Sequence, residues 1–380
     1  MVLGLSACGM FAGESLQNSS SEIADDTLSE ELNDTSQSQE TQEDVLCYTL
    51  DEETNTYTVS LNESLFVQIL TDVFHSADSD IQYSEDTIDD IISEMEEFNV
   101  FKEIIIPSSY KGLPVVAIAE DAFHSDILPL KSIIIPNSIT KIGASAFYYN
   151  ERLESIQIPN SVTDIGDHAF HFCNSLKEIV IPNSVISLGA EVFSGCSMLE
   201  KVVIGEGVAS IKEYAFSECD SLKEVIFSNS VESICDRAFW GCIALDNIEL
   251  PDSITYLGEA FSGCISLKNI KLSHGLTKIV GYTFANCTAL ENIEIPNNIK
   301  EIKDYAFRNC SVLKNVELPS SLEYIEDDAF EGCNQLISVK FNNPSGWKCG
   351  GWAISVEELA QPTVAADYIK NKVGDWRRKE

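Results

Sequence analysis

Twelve cysteines and five histidines are the residues of this 380-residue chain best equipped for metal or redox chemistry. Eight of the cysteines share one spacing: Cys173, Cys196, Cys219, Cys242, Cys264, Cys287, Cys310 and Cys333. Such a column stacks thiols ~5 Å apart along successive strands. Zinc needs a tetrahedron of ligands at ~2.3 Å from sulfur, which a straight row of parallel thiols does not supply. Parallel side chains also make poor disulfide dihedrals. The column is therefore expected to consist of small buried residues in tight turns. His124 and His171 fall on one repeat position two units apart, ~10 Å, too far to share an ion. His168 is expected to be close to His171 in sequence only, so no metal site is expected. No nucleophile elbow, zincin helix or phosphate loop occurs. Catalysis and cofactor binding are accordingly not expected.

The net charge of −37 repels phosphate backbones and excludes a nucleic-acid partner. The charge is uneven, since no Lys or Arg precedes Lys102. Residues 9–46 are polar and acidic and read as a disordered, charge-extended linker. No run of 18 apolar residues is present, so no membrane-spanning helix is expected.

The spacing of phenylalanine decides the architecture. Phe123, Phe147, Phe170, Phe193, Phe216, Phe239, Phe261, Phe284, Phe307 and Phe330 recur every 22 to 24 residues, which marks a solenoid. Ala precedes Phe except at Val192 and Thr283, and Leu follows six residues later, from Leu153 to Leu336. A strand comes next, as in Ile179-Val180-Ile181-Pro182, with alternate residues inward and Pro ending it. A second apolar pair follows, such as Val185 and Leu188. No unit can bury its apolar face alone, and stacking makes one core. The expected fold class is an α/β repeat solenoid of about ten 23-residue units with a parallel sheet, over residues 101–341. Residues 47–100 are expected to form an N-terminal cap, with a hairpin around Asp51–Thr56 and helical spacing in 63–75 and 86–98. Residues 342–380 are expected to form a C-terminal cap with a helix from Pro362 through Trp376.

The pattern Ile-x-Ile-Pro-x-Ser-Val-x-x-Ile-x-x-x-Ala-Phe-x-x-Cys-x-x-Leu resembles the BspA-like leucine-rich repeats. That resemblance implies an exported surface protein, some of whose relatives resemble adhesins. The start, Leu5-Ser6-Ala7-Cys8-Gly9, resembles a bacterial lipobox, so residues 1–8 are expected to be a short lipoprotein signal and Cys8 the lipidated residue. Only through that anchor would the chain meet a membrane.

Outward positions carry the remaining information. The strand centres run Ile105, Ile134, Gln157, Val180, Val203, Ile226, Glu249, Lys271, Glu294, Glu317 and Lys340. If they face solvent, the first half bears an apolar stripe of the size that marks interaction. Beside it, charges alternate in sign from Lys131 through Glu154, Lys177, Glu200 and Lys223, an expected ion-pair ladder. The loop residues Tyr148, Tyr149, Phe172 and Trp240 form a candidate aromatic edge. The expected partner is an extracellular protein held on Ile134, Val180, Val203 and Ile226. The alternatives are a glycan stacked on the aromatic edge and a spacer that associates with itself. For the anchor, chain purified from its native host should partition into detergent with a diacylglyceryl mass on Cys8. An unmodified cytosolic chain would remove the surface reading.

Overall fold

In the computed structural model, residues 45–62, 102–125, 128–371 and 374–378 are described. The lipobox with Cys8, residues 9–44 of the linker and the two helical stretches after residue 62 lie outside them.

Each turn contributes two strands to two parallel ladders. The first holds the long strands, for example Glu178–Ile181, Lys201–Ile204 and Glu224–Ile226. Its register pairs Ile179 with Val202 and Val180 with Val203. Ile179, Ile181, Val202 and Ile204 are buried, as alternation requires. The second ladder was not expected. It consists of two-residue strands on the return path, such as Asp164–Ile165, Ser187–Leu188 and Ser233–Ile234. Between the ladders the chain turns at Pro-x-Ser-Val, where the N–H of Val185 donates to the carbonyl of Pro182 at 3.1 Å. The motif's serine joins neighbouring turns: Ser184 Oγ donates to the Val162 carbonyl at 2.7 Å and Ser253 Oγ to that of Val231 at 2.7 Å.

The expected parallel-sheet solenoid is built from strands and turns, with no helix among the described residues of the repeats. The physical reason lies two residues either side of Phe. His168, Glu191, Tyr214 and Arg237 before it, and Tyr149, Phe172 and Glu218 after it, have φ between 53° and 59°. Two left-handed residues per turn stop a helix from propagating. Helix appears instead beyond the repeats, at Val356–Leu359 and Pro362–Asn371. The first is closed by a capping box between Ser355 and Glu358.

The core is a stack of ten phenylalanines, each no more than 1% exposed. Ring centroids are 5.1 Å apart at Phe147–Phe170 and at Phe170–Phe193, with planes within 7°. The widest step, 6.1 Å, is Phe261–Phe284, where Thr283 replaces Ala. Each thiol of the column donates to the phenylalanine carbonyl of the turn before: Cys173 to Phe147 at 3.3 Å, Cys219 to Phe193 at 3.3 Å, Cys333 to Phe307 at 3.1 Å. Asn150 stands at the same position one turn earlier, and its amide donates to the Phe123 carbonyl at 2.6 Å. The position thus requires a small buried donor, and thiol and amide both meet that need.

Both ends of the second ladder are covered. At the start, the expected hairpin forms from Leu46–Asp51 and Thr56–Leu61, and its second strand lies parallel to Leu113–Ile118. Val45 and Leu46, placed by sequence at the end of the linker, are buried here. At the other end the expected helix opens at Pro362 and runs to Asn371, short of Trp376. Trp376–Arg378 is a strand, antiparallel to Tyr324–Ile325. Gly374 takes φ +116° and turns the chain out of helix, while Asp327 Oδ1 accepts its N–H at 3.0 Å. An uncovered last strand would leave its backbone groups unpaired, and this strand pairs them.

Burial pushes the thiols up, to about 12 for Cys196 and Cys264, and well above the ordinary value for Cys173, Cys219, Cys242, Cys287 and Cys310. An unfolded chain ionises these thiols near pH ~8.5, whereas the folded chain holds their protons. Stability is therefore complete below that pH and is lost as pH rises toward the folded values. Each thiol removes about 1.4 kcal/mol per pH unit in that window. Urea midpoints should fall steeply between pH 8.5 and 10, and Cys219→Ala should flatten the slope by one thiol. A midpoint independent of pH would contradict the buried column.

Candidate functional site

The strand-centre residues face solvent. Val180 is 52% exposed, Ile134 49% and Ile226 43%, with Val203 half-buried between its neighbours. Register joins Ile105 to Ile134, and Val180 through Val203 to Ile226, on adjacent strands. In the second half the same positions neutralise one another: Lys271 lies 3.9 Å from Glu249 and Lys340 2.8 Å from Glu317. The ladder beside the stripe pairs as expected at Lys223–Glu200 (3.1 Å), Lys268–Asp246 (3.9 Å) and Lys314–Glu291 (3.1 Å). Exposed pairs of this kind contribute at most about 1 kcal/mol each. Two outward asparagines on adjacent strands are also joined, Asn269 Nδ2 donating to Asn247 Oδ1 at 2.7 Å. So the sheet surface has an ion-paired half and an apolar half.

The loop edge separates into two features. Tyr148 and Tyr149 pack on the histidines and on Phe172, with Tyr148–His171 centroids at 5.0 Å and Tyr149–Phe172 at 4.8 Å, both stacked. His124 meets the edge of Tyr148 at 4.8 Å. Burial, with Tyr149 and Glu191 close by, raises the Tyr148 phenol above its ordinary value. Trp240 stands away from this cluster, at the far end of an open groove of about 520 Å³ whose near end is Phe172. Its lining includes Gly195, Glu218 and Gly241, with Asp220 and Asn174. Sequence placed Phe172 and Trp240 on one edge but did not show that two turns of small and acidic residues, with Gly195, Ser197, Glu218 and Asp220, separate them.

The groove depends on the left-handed positions. Two residues after Phe, most later turns carry Gly or Asn: Gly195, Gly241, Gly263, Asn286, Asn309 and Gly332. Those types tolerate φ > 0, whereas a tyrosine or phenylalanine there is strained. Tyr149 and Phe172 occupy the position nonetheless, at φ 59° and 56°. Such outliers gather at functional sites. The recurrence of Gly and Asn was the sequence signal that could have revealed the kink. The Phe172 ring lies over Gly195, where a Cβ would approach its Cδ1 to 2.3 Å.

One expectation is overturned. His168 and His171 are neighbours in space, with ring centroids 5.5 Å apart. Glu191 of the next turn joins them, its Oε2 3.6 Å from His168 Nδ1 and 3.7 Å from His171 Nδ1. The left-handed turn around Phe170 folds the two histidines onto one side, which linear spacing did not reveal.

The profile of the BspA type leucine rich repeat region matches residues 116–246 and 232–346, in six copies. The chain belongs to the BspA-type leucine-rich repeat family. No curated protein matches it. Among solved structures, this BspA-type chain is similar to a leucine rich cell surface protein of Faecalibacterium prausnitzii, at 25% identity over 79% of this chain and 94% of that one, with a TM-score of 0.40. It is similar to the leucine rich repeat protein of T. pallidum at 25% identity, over 65% of this chain and 88% of that one, TM-score 0.41. The pneumococcal vaccine antigen PcpA matches at 20% identity over 80% and 82%, TM-score 0.46. No helix among the described residues is long and apolar enough to cross a membrane.

Gly195→Ala in this BspA-type repeat array should destabilise by about 1–2 kcal/mol through its positive φ alone, and further through the clash with Phe172. In a Phe172→Ala background the clash disappears and only the backbone cost remains. Thermal denaturation of the four chains should show that coupling. Strict additivity would mean that the ring does not cover Gly195.

Proposed function

We propose that this chain is a cell-surface binding solenoid, tethered through a lipid on Cys8 and extended by its acidic linker, whose apolar sheet stripe docks an extracellular protein. One observation carries the reading: Ile134, Val180 and Ile226 stand exposed and unneutralised, with half-buried Val203 among them, while the same positions farther along form ion pairs. β-propensity alone would not change so abruptly at Glu249. Burying a Val or Ile side chain contributes about 1.5–3 kcal/mol. Four half-exposed residues contribute enough to anchor a moderate interface after association costs. The rigid parallel ladder holds them in register before the partner arrives, so little ordering entropy is lost on binding.

A glycan at the groove between Phe172 and Trp240 is the second reading. It is favoured by an aromatic ring at each end, Phe172 held at a strained φ, and by Asn174, Glu218 and Asp220 along the lining. Flat rings suit the apolar faces of sugars, and carboxylates and amides suit their hydroxyls.

Val180→Glu with Val203→Lys should abolish binding to the protein partner while folding is kept, since opposite charges on adjacent strands suit the ladder. The matched control, Glu294→Gln with Glu317→Gln, should bind as the unaltered chain does. Binding would be measured on immobilised chain with extracellular protein fractions, and chain mass in dilute solution would be measured alongside. Loss in the control pair alone would place the site on the charged half. Loss only in Phe172→Ala with Trp240→Ala, together with binding to a glycan array, would favour the sugar. A concentration-dependent dimer that the stripe pair dissolves would favour self-association.

A further inference from the structure

We propose that His168, His171 and Glu191 form a three-ligand site for a divalent transition-metal ion of the zinc type, with a fourth position open to water or to a ligand. The three donor atoms lie within 4.8 Å of one another. Around a tetrahedral ion with bonds of ~2.0–2.1 Å, neighbouring donor atoms are about 3.3 Å apart. The two nitrogen–oxygen separations, 3.6 and 3.7 Å, are a few tenths of an ångström from that value, and the two imidazoles close from a separation within 4.8 Å. Two imidazoles and a carboxylate are the donor set of many open zinc sites.

His171 is 8% exposed, and neither its Nδ1 nor that of His168 has a hydrogen-bond partner. Buried polar atoms are normally paired, and here both unpaired nitrogens are turned toward one carboxylate oxygen. The backbone holds all three in place. His168 and Glu191 occupy the same left-handed position of consecutive turns, at φ 56° and 53°. The His168 N–H donates to Ala190 at 2.9 Å, and its carbonyl accepts the His171 N–H at 3.0 Å. Tyr148 stacks on His171. A bound ion would therefore clamp two turns together beneath the aromatic cluster and give that edge a Lewis-acidic contact for an oxygen ligand.

The test uses the full chain carrying Cys8→Ser and Cys47→Ser, stripped with chelator, so that neither Cys8 nor the exposed Cys47 supplies a thiolate while the column thiols stay buried. Calorimetric titration with zinc chloride near pH 7.5 should give one saturable site. Cobalt(II) should bind it with a visible spectrum that lacks a thiolate charge-transfer band. Glu191→Gln should weaken binding by about tenfold or more, and His168→Ala with His171→Ala should abolish it. Because a change at buried His171 can unfold its turn, Glu191→Gln and His168→Ala alone carry the decision, and both act at partly exposed positions. Zinc should also raise the melting temperature of the parent chain and not that of Glu191→Gln. Absence of saturable binding, affinity unchanged in Glu191→Gln, or a thiolate band would overturn the proposal and leave the three groups as a proton-dependent ion pair.

Discussion

Everything in this molecule hangs on how each turn satisfies the backbone of the turn before it. The phenylalanine stack excludes water from the loop side, so its carbonyls must find donors inside the protein. Most take the N–H three residues on within their own turn, as Cys173 N–H donates to Phe170. From Phe147 to Phe307 each also takes the Sγ–H of the next turn, as Cys196 does to Phe170 at 3.2 Å. Apolar stacking supplies the driving force, and the thiol lets that stacking proceed without an unpaired acceptor. The side chain at this position must be small, buried and a donor. That combination explains why cysteine recurs and why asparagine can stand in once.

A repeat built this way divides its positions sharply. Inward ones are constrained by the turns on both sides, whereas outward ones are constrained by little except solvation and cross-strand charge. Local differences in outward residues can therefore accumulate without disturbing the stack. This molecule shows three such departures: the apolar strand centres up to Ile226, the aromatic cluster around Tyr148, and the groove from Phe172 to Trp240. All three fall within the first six turns of the array. The later turns pair their charges instead, and their left-handed positions after Phe return to Gly or Asn.

The two ends show what an open ladder requires. The hairpin at Leu46–Leu61 and the strand Trp376–Arg378 both extend the second ladder, in opposite senses of direction. Both bring large apolar side chains with them, Tyr57 and Val59 at one end and Trp376 at the other. The helix Pro362–Asn371 packs against the last long strand, Ser338–Phe341, of the first ladder. Edge backbone and edge core are thus covered by the same segments.

Sequence by itself determined the period, the identity of the core residues, the long strands and the hairpin. Each depends on apolar side chains recurring at a spacing that only one arrangement can bury. It also determined that the strand centres differ between halves, because alternation along a strand makes inward and outward positions separable. Tertiary structure alone decided what the turns do. The second ladder consists of two-residue strands, too short to leave an alternating pattern. The kinks flanking Phe depend on φ, which residues such as His168, Glu191 and Phe172 do not advertise. Those kinks bring His168 onto His171 and Glu191, and they place Phe172 over Gly195. The strand at Trp376 reads locally as the tail of a helix, and only the unpaired edge at Tyr324–Ile325 selects the extended form. Periodicity reports which side chains must be buried together. Where backbone direction reverses within a few residues, the partners come from neighbouring turns, and no local pattern carries that information.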